Sequence, residues 1–431
     1  MGKSENPAWG TSASTLASNS SVILPILLLL SLPALSAIPP SPRIESLQRS
    51  IQVERTGAVE AFWSEVSKGG GTPLIECPGA IAPDCLVTFL WRGDATTLNV
   101  VIRAEALPGA PAEHRFEHLP GTDVWYRTYQ FREDARFMYM LSINDPLTPW
   151  EVEGPERAKR YAGLRTDPLN QRGASYVSLP KAPSERWIEE RSGVAHGGIR
   201  SHELSSAALS GVRTIEVYST PGFQPGGGVT PVLILFDGEE AKAMGKAPVI
   251  LDNLFAEGRI PPMLAVLLDQ PYERRETDLG CSKSTNRFLV EELLPWLRRE
   301  YRIRTAPGRT IAAGASLGGL AAAYAALSHP EAIGRVLSQS GSFWWGQTDA
   351  EPEWLTAQFT SRPRVEAKLY LDVGLMETKD GALSQLLTNR RLRDVLRKKG
   401  YDVAYVEFNG PHAYPCWRAG FGGALIALLA E

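Results

Sequence analysis

Cysteine is scarce. Four occur in 431 residues, at positions 77, 85, 281 and 416, and none forms a C-x-x-C pair or a zinc spacing. That gives no sign of a small disulfide scaffold or of a structural zinc site. Cys77 and Cys85 bracket the short loop PGAIAPD, which a disulfide closes if the chain is exported; buried free thiols are the alternative. For Cys281 and Cys416 the sequence leaves pairing open.

Charge of one sign is also lacking. A net charge of −3 gives no bulk attraction for nucleic acid or for an anionic membrane surface. Any hold on an anionic ligand falls to local arginines. There is one long apolar run, residues 22–35 (VILPILLLLSLPAL), too short and too proline-broken to span a bilayer comfortably. Small residues follow it at Ala34-Leu35-Ser36 and Leu35-Ser36-Ala37, so residues 1–37 read as a cleaved export signal, although Lys3 is their one basic residue. The expected location is the periplasm, with no membrane insertion after cleavage. An uncleaved anchor is the alternative, and a cytoplasmic location follows if the run is not a functional signal.

What is present is the composition of a globular protein, 43% apolar and 22% charged, in a chain too long for one ordinary core. Residues 44–68 read as a helix ended by three glycines. The runs CLVTFLWRG, TLNVVIRAE, VWYRTYQF and FMYMLSIN then alternate with Gly, Pro and Asp clusters at the spacing of an all-β, immunoglobulin-like sandwich. We place that domain at 44–165, with a turn-rich linker over 166–195. From 196 to 431, buried Val/Ile/Leu strands alternate with helices, which predicts an α/β domain with a mostly parallel sheet covered on both faces.

The chemistry centres on Gly314-Ala315-Ser316-Leu317-Gly318. An apolar strand precedes it and an alanine-rich helix follows, the context that a G-x-S-x-G nucleophile elbow requires. Small residues for helix packing are the bland alternative. As a nucleophile, Ser316 sits at a helix N-terminus, where the Leu317 amide faces a developing oxyanion. The elbow predicts the chain order Ser, acid, His. Beyond Ser316 lie only His329, at a helix end where it caps, and His412, on a loop after the strand DVAYVEFNG; His412 is the expected general base. The acid follows the strand AKLYLDVG, with Glu377 preferred over Asp380 and Asp372. The second oxyanion donor is expected from the turn after PVLILFDG, at the Glu239 amide.

At these residues the chain resembles the enterochelin (enterobactin) esterases, within a wider esterase D-like α/β-hydrolase group. The resemblance rests on LILFDG, ASLGGLAAAYAALSHPEAIGRVLSQSGSFWW, LYLDVG and GPHAYPCWRAG, and on LVTFLWRGD, LPGTDVWYRTYQF and DPLN in the N-terminal half. It implies hydrolysis of a cyclic trilactone of 2,3-dihydroxybenzoylserine, ferric or iron-free, with iron belonging to the substrate and no cofactor. An anionic, aromatic ligand of that kind calls for arginine and tryptophan. The candidates are Arg92 from the sandwich, Arg275 after Arg274, Trp344, Trp345 and Arg418. The competing readings are an exported feruloyl-type carboxylesterase and a non-catalytic siderophore-binding protein; intact Ser316 and His412 argue against the latter.

Overall fold

Strands Val232–Phe236 and Leu264–Leu268 are apolar at every position because both of their faces are covered. Val232, Ile234 and Phe236 point into one core cluster, Leu233 and Leu235 into the other. The computed structural model describes residues 38–79, 84–152, 154–171, 175–226, 228–348 and 350–430. The expected export signal, 1–37, lies outside these residues.

Residues 40–431 form one compact unit. Its main sheet has eight strands, in the spatial order Gly198–Ser206, Gly211–Ser219, Leu264–Leu268, Val232–Phe236, Thr310–Ala315, Arg335–Gln339, Lys368–Gly374 and Asp402–Phe408. The first two form an antiparallel hairpin joined antiparallel to Leu264–Leu268, and the remaining pairings are parallel. Helix Leu317–Ser328 is buried from Gly318 to Leu327, so its sequence is apolar all round rather than striped. Helix Tyr414–Leu429 covers the opposite face through Phe421, Leu425 and Leu428. This is the expected α/β-hydrolase arrangement.

The N-terminal part is built on strands Asp84–Arg92 and Val124–Arg132, which pair along their whole length. Their inner face packs on strands Val100–Arg103 and Met140–Ile143 through Val87, Phe89, Ile102 and Leu141. Two features differ from the sequence reading. The single helix over 44–68 is two helices, Pro42–Ile51 and Arg55–Lys68, whose Ile44, Leu47, Phe62 and Trp63 cover the outer face of the same sheet. The linker over 166–195 is in part interior to the domain. Tyr176–Ser178 pairs with Arg136–Met138, and buried Asp167 accepts hydrogen bonds from Thr72 and Tyr139. Its turn-rich composition reflects side chains that bond backbone and neighbours rather than a free connection. Cys77 and Cys85 form a disulfide, while Cys281 and Cys416 are buried free thiols.

Candidate active site

The elbow is sterically tight. A Cβ on Gly314 would stand 2.7 Å from the Gly318 carbonyl carbon, which is why the motif needs glycine at both ends. Ser316 between them adopts φ 58° and ψ −123°, a conformation that costs on the order of 1–3 kcal/mol in a non-glycine residue. The strain is held by the sheet: the Ser316 amide donates to the Gln339 carbonyl at 2.9 Å, and its own carbonyl accepts from Ser342 at 3.0 Å. Ser316 thereby caps helix Leu317–Ser328, and Leu317 is that helix's first residue.

The acid and base arrive on two loops laced to each other. Leu375 donates to the Phe408 carbonyl and Met376 to the Gly410 carbonyl, so the turn after Lys368–Gly374 is tied to the loop that carries His412. That turn places Glu377 in the interior, its side chain 2% exposed. Glu377 Oε2 lies 2.6 Å from His412 Nδ1. Glu377 Oε1 accepts from the Ser340 hydroxyl at 2.5 Å and the Gly374 amide at 2.7 Å. A carboxylate only accepts, so Nδ1 carries the hydrogen and Nε2 is left with its lone pair as a base. Trp417 packs edge-on against the His412 ring with centroids 4.8 Å apart, and its Nε1 donates to Ser340 Oγ. One tryptophan thus orients both the base and the acid's partner.

Asp380 stands on the exposed turn beyond. Asp372 is wholly buried under the site but turns to Gln339, whose Nε2 donates to it at 2.9 Å; burial pushes its carboxyl up to about 7. Glu377 is therefore the member that meets the histidine. Ser316 Oγ bonds Ser342 Oγ at 3.2 Å in this structure. Hydrogen bonds between nucleophile and base commonly tighten only when substrate is in place.

The N-terminal domain buttresses the histidine loop. Arg136 donates its amide to the Asn409 carbonyl, Asn409 Nδ2 donates to Asp134, and Cys416 Sγ donates to the Arg136 carbonyl. Between the two lies a cleft of about 300 Å³ that His412 lines together with Arg103, Glu105 and Trp417.

Several assignments from sequence need correction. Arg92 points the other way, bonded to Asp123 and Glu60 at 2.7 Å each and lying over Trp63, on the helix-covered face of the sandwich. Its partners are 31 and 32 residues distant in sequence, which no local pattern revealed. Arg418 is paired with Glu185 at 2.6 Å, stacks over Tyr176, and borders a separate small cavity of about 30 Å³ rather than the cleft. Arg275 does sit beside the elbow, but Asp237 holds it at both ends at 2.7 Å. Trp345 packs on Trp354 against the edge of the core, and Trp344 bonds Gln385; neither lines the cleft. The Glu239 amide donates to Asp269 Oδ1 at 2.9 Å, so in this structure it is occupied by a carboxylate. The aromatic residues lining the cleft are Trp417, Tyr414 and Tyr139, and its charged sandwich side chains are Arg103 and Glu105. Arg103 ends strand Val100–Arg103, the same kind of position that drew attention to Arg92, and Glu105 stands on the turn that follows. Arg92→Ala is accordingly expected to leave KM for an anionic ester within about two-fold, measured by initial rates; a ten-fold rise would return it to the site.

A carboxylate–histidine pair, Glu377–His412, and a strained serine elbow are the kinds of group that ester hydrolysis uses. Residues 206–428 match the family model described as "Putative esterase", and residues 86–188 match that of the enterochelin esterase N-terminal domain. The chain belongs to this esterase family. The iron(III) enterobactin esterase of Dickeya dadantii is 29% identical over 407 residues, 84% of this chain and 91% of its own. The iron(III) salmochelin esterase of Escherichia coli O6:H1 (strain CFT073) is 27% identical over 412 residues, 89% and 96% of the two chains. The crystal structure of ferric enterobactin esterase from Salmonella typhimurium superposes with a TM-score of 0.72 at 25% identity, covering 86% of this esterase and 98% of that chain. Both parts of the esterase, sandwich and hydrolase, are shared with these relatives.

Proposed function

We propose that this esterase opens the ester backbone of a catecholate siderophore of the enterobactin type. The observation that carries the reading is the cleft itself. His412 faces a wall supplied by an enterochelin esterase-like N-terminal domain, so substrate is held by the domain that distinguishes these relatives from other esterases of the fold. In the reaction, His412 Nε2 takes the Ser316 proton as Oγ attacks an ester carbonyl, and Glu377 stabilises the imidazolium. The Leu317 amide, at the positive end of its helix, faces the oxyanion. The protonated histidine then delivers its proton to the leaving serine hydroxyl. Water, deprotonated by the same nitrogen, releases the acyl group and restores Ser316. The steps need no metal from the protein; iron enters only with the substrate.

We place the reaction outside the cytoplasm, in the periplasm. The Cys77–Cys85 disulfide supports an oxidising compartment, as does the signal-like segment before residue 38. The test is a substrate panel of enterobactin, its ferric complex and a feruloyl ester, with products separated by chromatography. We expect linear and monomeric dihydroxybenzoylserine from the trilactone and none from Ser316→Ala. Turnover of the feruloyl ester with the trilactone untouched would overturn the substrate assignment.

A further inference from the structure

The exit of strand Arg335–Gln339 carries alternating serines, in Ser338-Gln339-Ser340-Gly341-Ser342, and it grips both the acid and the nucleophile. Ser340 donates its hydroxyl to Glu377 Oε1 at 2.5 Å and accepts from Trp417 Nε1 at 3.0 Å. Ser342 meets the nucleophile. Its hydroxyl lies 3.2 Å from Ser316 Oγ, and its amide donates to the Ser316 carbonyl at 3.0 Å. The turn itself is anchored: Gln385 Nε2 donates to the Ser340 carbonyl, and Asn389 Nδ2 to the Gly341 carbonyl at 2.8 Å. Because the Gln339 carbonyl also holds the Ser316 amide, the backbone of the nucleophile is fixed on both sides. Rotation of its side chain about χ1 is the freedom that remains.

The Ser342 hydroxyl removes that freedom. Ser342 is 1% exposed, and among the described residues Ser316 Oγ is its hydroxyl's one hydrogen-bond partner. A hydroxyl has a single hydrogen to donate, and a buried donor left unpaired loses its bond to water with nothing in return. If Ser316 were the donor, the Ser342 hydrogen would be such an orphan, and the nucleophile's hydrogen would lie on a group that cannot serve as its base. The satisfied arrangement is the reverse. Ser342 donates to Ser316 Oγ, and the Ser316 hydrogen is left for His412 Nε2. As His412 takes that hydrogen, negative charge gathers on Oγ, and the bond from Ser342 becomes charge-assisted and stronger. The same oxygen is the leaving group when the acyl-enzyme is hydrolysed, so the contact serves both halves of the reaction.

We infer that Ser342 is a further catalytic residue, a buried hydrogen-bond donor that fixes the rotamer of Ser316, leaves its hydrogen to His412 and stabilises the charge that develops on Oγ. The inference rests on the proposed function for Ser316 as nucleophile, and it is independent of which ester is the substrate.

The experiment compares wild type with Ser342→Ala, Ser342→Thr and Ser316→Ala in the full chain. It reads turnover of nitrophenyl butyrate and the rate at which a fluorophosphonate labels the nucleophile. Ser342→Ala is expected to lower kcat and the labelling rate together by roughly 10- to 100-fold, the range for one hydrogen bond to a charged group, with KM within about two-fold. The midpoint of the acid limb of its pH–rate profile should stay at the wild-type value, because Glu377 and His412 keep their contacts. Ser342→Thr, which keeps the hydroxyl, should recover most of the loss. A thiol fills the site but donates weakly, so Ser342→Cys should lose about ten-fold and carries the test if Ser342→Ala does not fold. A rate within two-fold of wild type in Ser342→Ala, a change confined to KM, or equal losses in Ser342→Ala and Ser342→Thr overturns the role of Ser342. Each of those leaves Ser316 as nucleophile if Ser316→Ala is inert. Turnover by Ser316→Ala at the wild-type rate would overturn both together.

Discussion

Ser316→Ala is expected to lower kcat by about 10⁶-fold while leaving ligand affinity within a few-fold, because the hydroxyl is needed for bond formation and not for binding. His412→Ala should cost nearly as much, since nucleophile and base act as a unit. Glu377→Gln is expected to cost about 10⁴-fold, less than the other two. The amide presents an N–H where His412 Nδ1 needs an acceptor, and so favours the wrong tautomer. The contrast lies with the two other carboxyls near the strand end. Asp372→Asn and Asp380→Asn should change kcat by less than ten-fold, because Asp372 bonds Gln339 and Asp380 stands on the turn beyond Glu377. Burst kinetics for the rates and tryptophan fluorescence for binding check these together. A larger loss in Asp372→Asn than in Glu377→Gln would transfer the role of acid.

The second large effect concerns stability. Asp372 is buried, with Gln339 as its side-chain partner and an Oδ1 left without a hydrogen bond. Burial, reinforced by the nearby Glu377, raises its carboxyl to about 7. In the unfolded chain it ionises near 3.9. Between about pH 4 and pH 7 the folded state holds a proton that the unfolded state has released, so this residue makes stability fall as pH rises, and the loss is complete above about pH 7. Three units correspond to about 4 kcal/mol. Asp372→Asn removes the titration. Its stability relative to wild type should therefore improve by several kcal/mol between pH 4.5 and pH 8, whatever its offset at low pH. Urea unfolding across that range measures the difference; a difference independent of pH would mean that Asp372 is ionised in the folded protein.

How legible the site was depended on how local each cause is. The elbow was readable because strand, glycine pair and helix are consecutive in sequence, and Gly314 meets Gly318 only four residues on. His412 was readable by order, as the histidine on the loop after the last sheet strand. Glu377 was one of three carboxyls within nine residues, and the choice was made by the turn that ties Leu375 and Met376 to Phe408 and Gly410. The arginines were not legible. An arginine at a strand end looks the same whether it faces a ligand or a carboxylate, and the carboxylates that claimed Arg92, Arg275 and Arg418 come from distant segments.

The sequence by itself determined the fold class and the presence of a second, β-rich domain, and it singled out the elbow serine and the loop histidine as candidates, because hydrophobic periodicity and strained turns are written in neighbouring residues. Only the tertiary structure decided which carboxyl meets His412, that the segment 166–195 belongs in part to the sandwich, and that Arg103 and Glu105 rather than Arg92 share a cleft with His412. Those outcomes depend on electrostatic pairing and docking between residues tens to hundreds of positions apart. Coulombic partners are chosen by distance in space, and distance in space is set only when the domains close on one another.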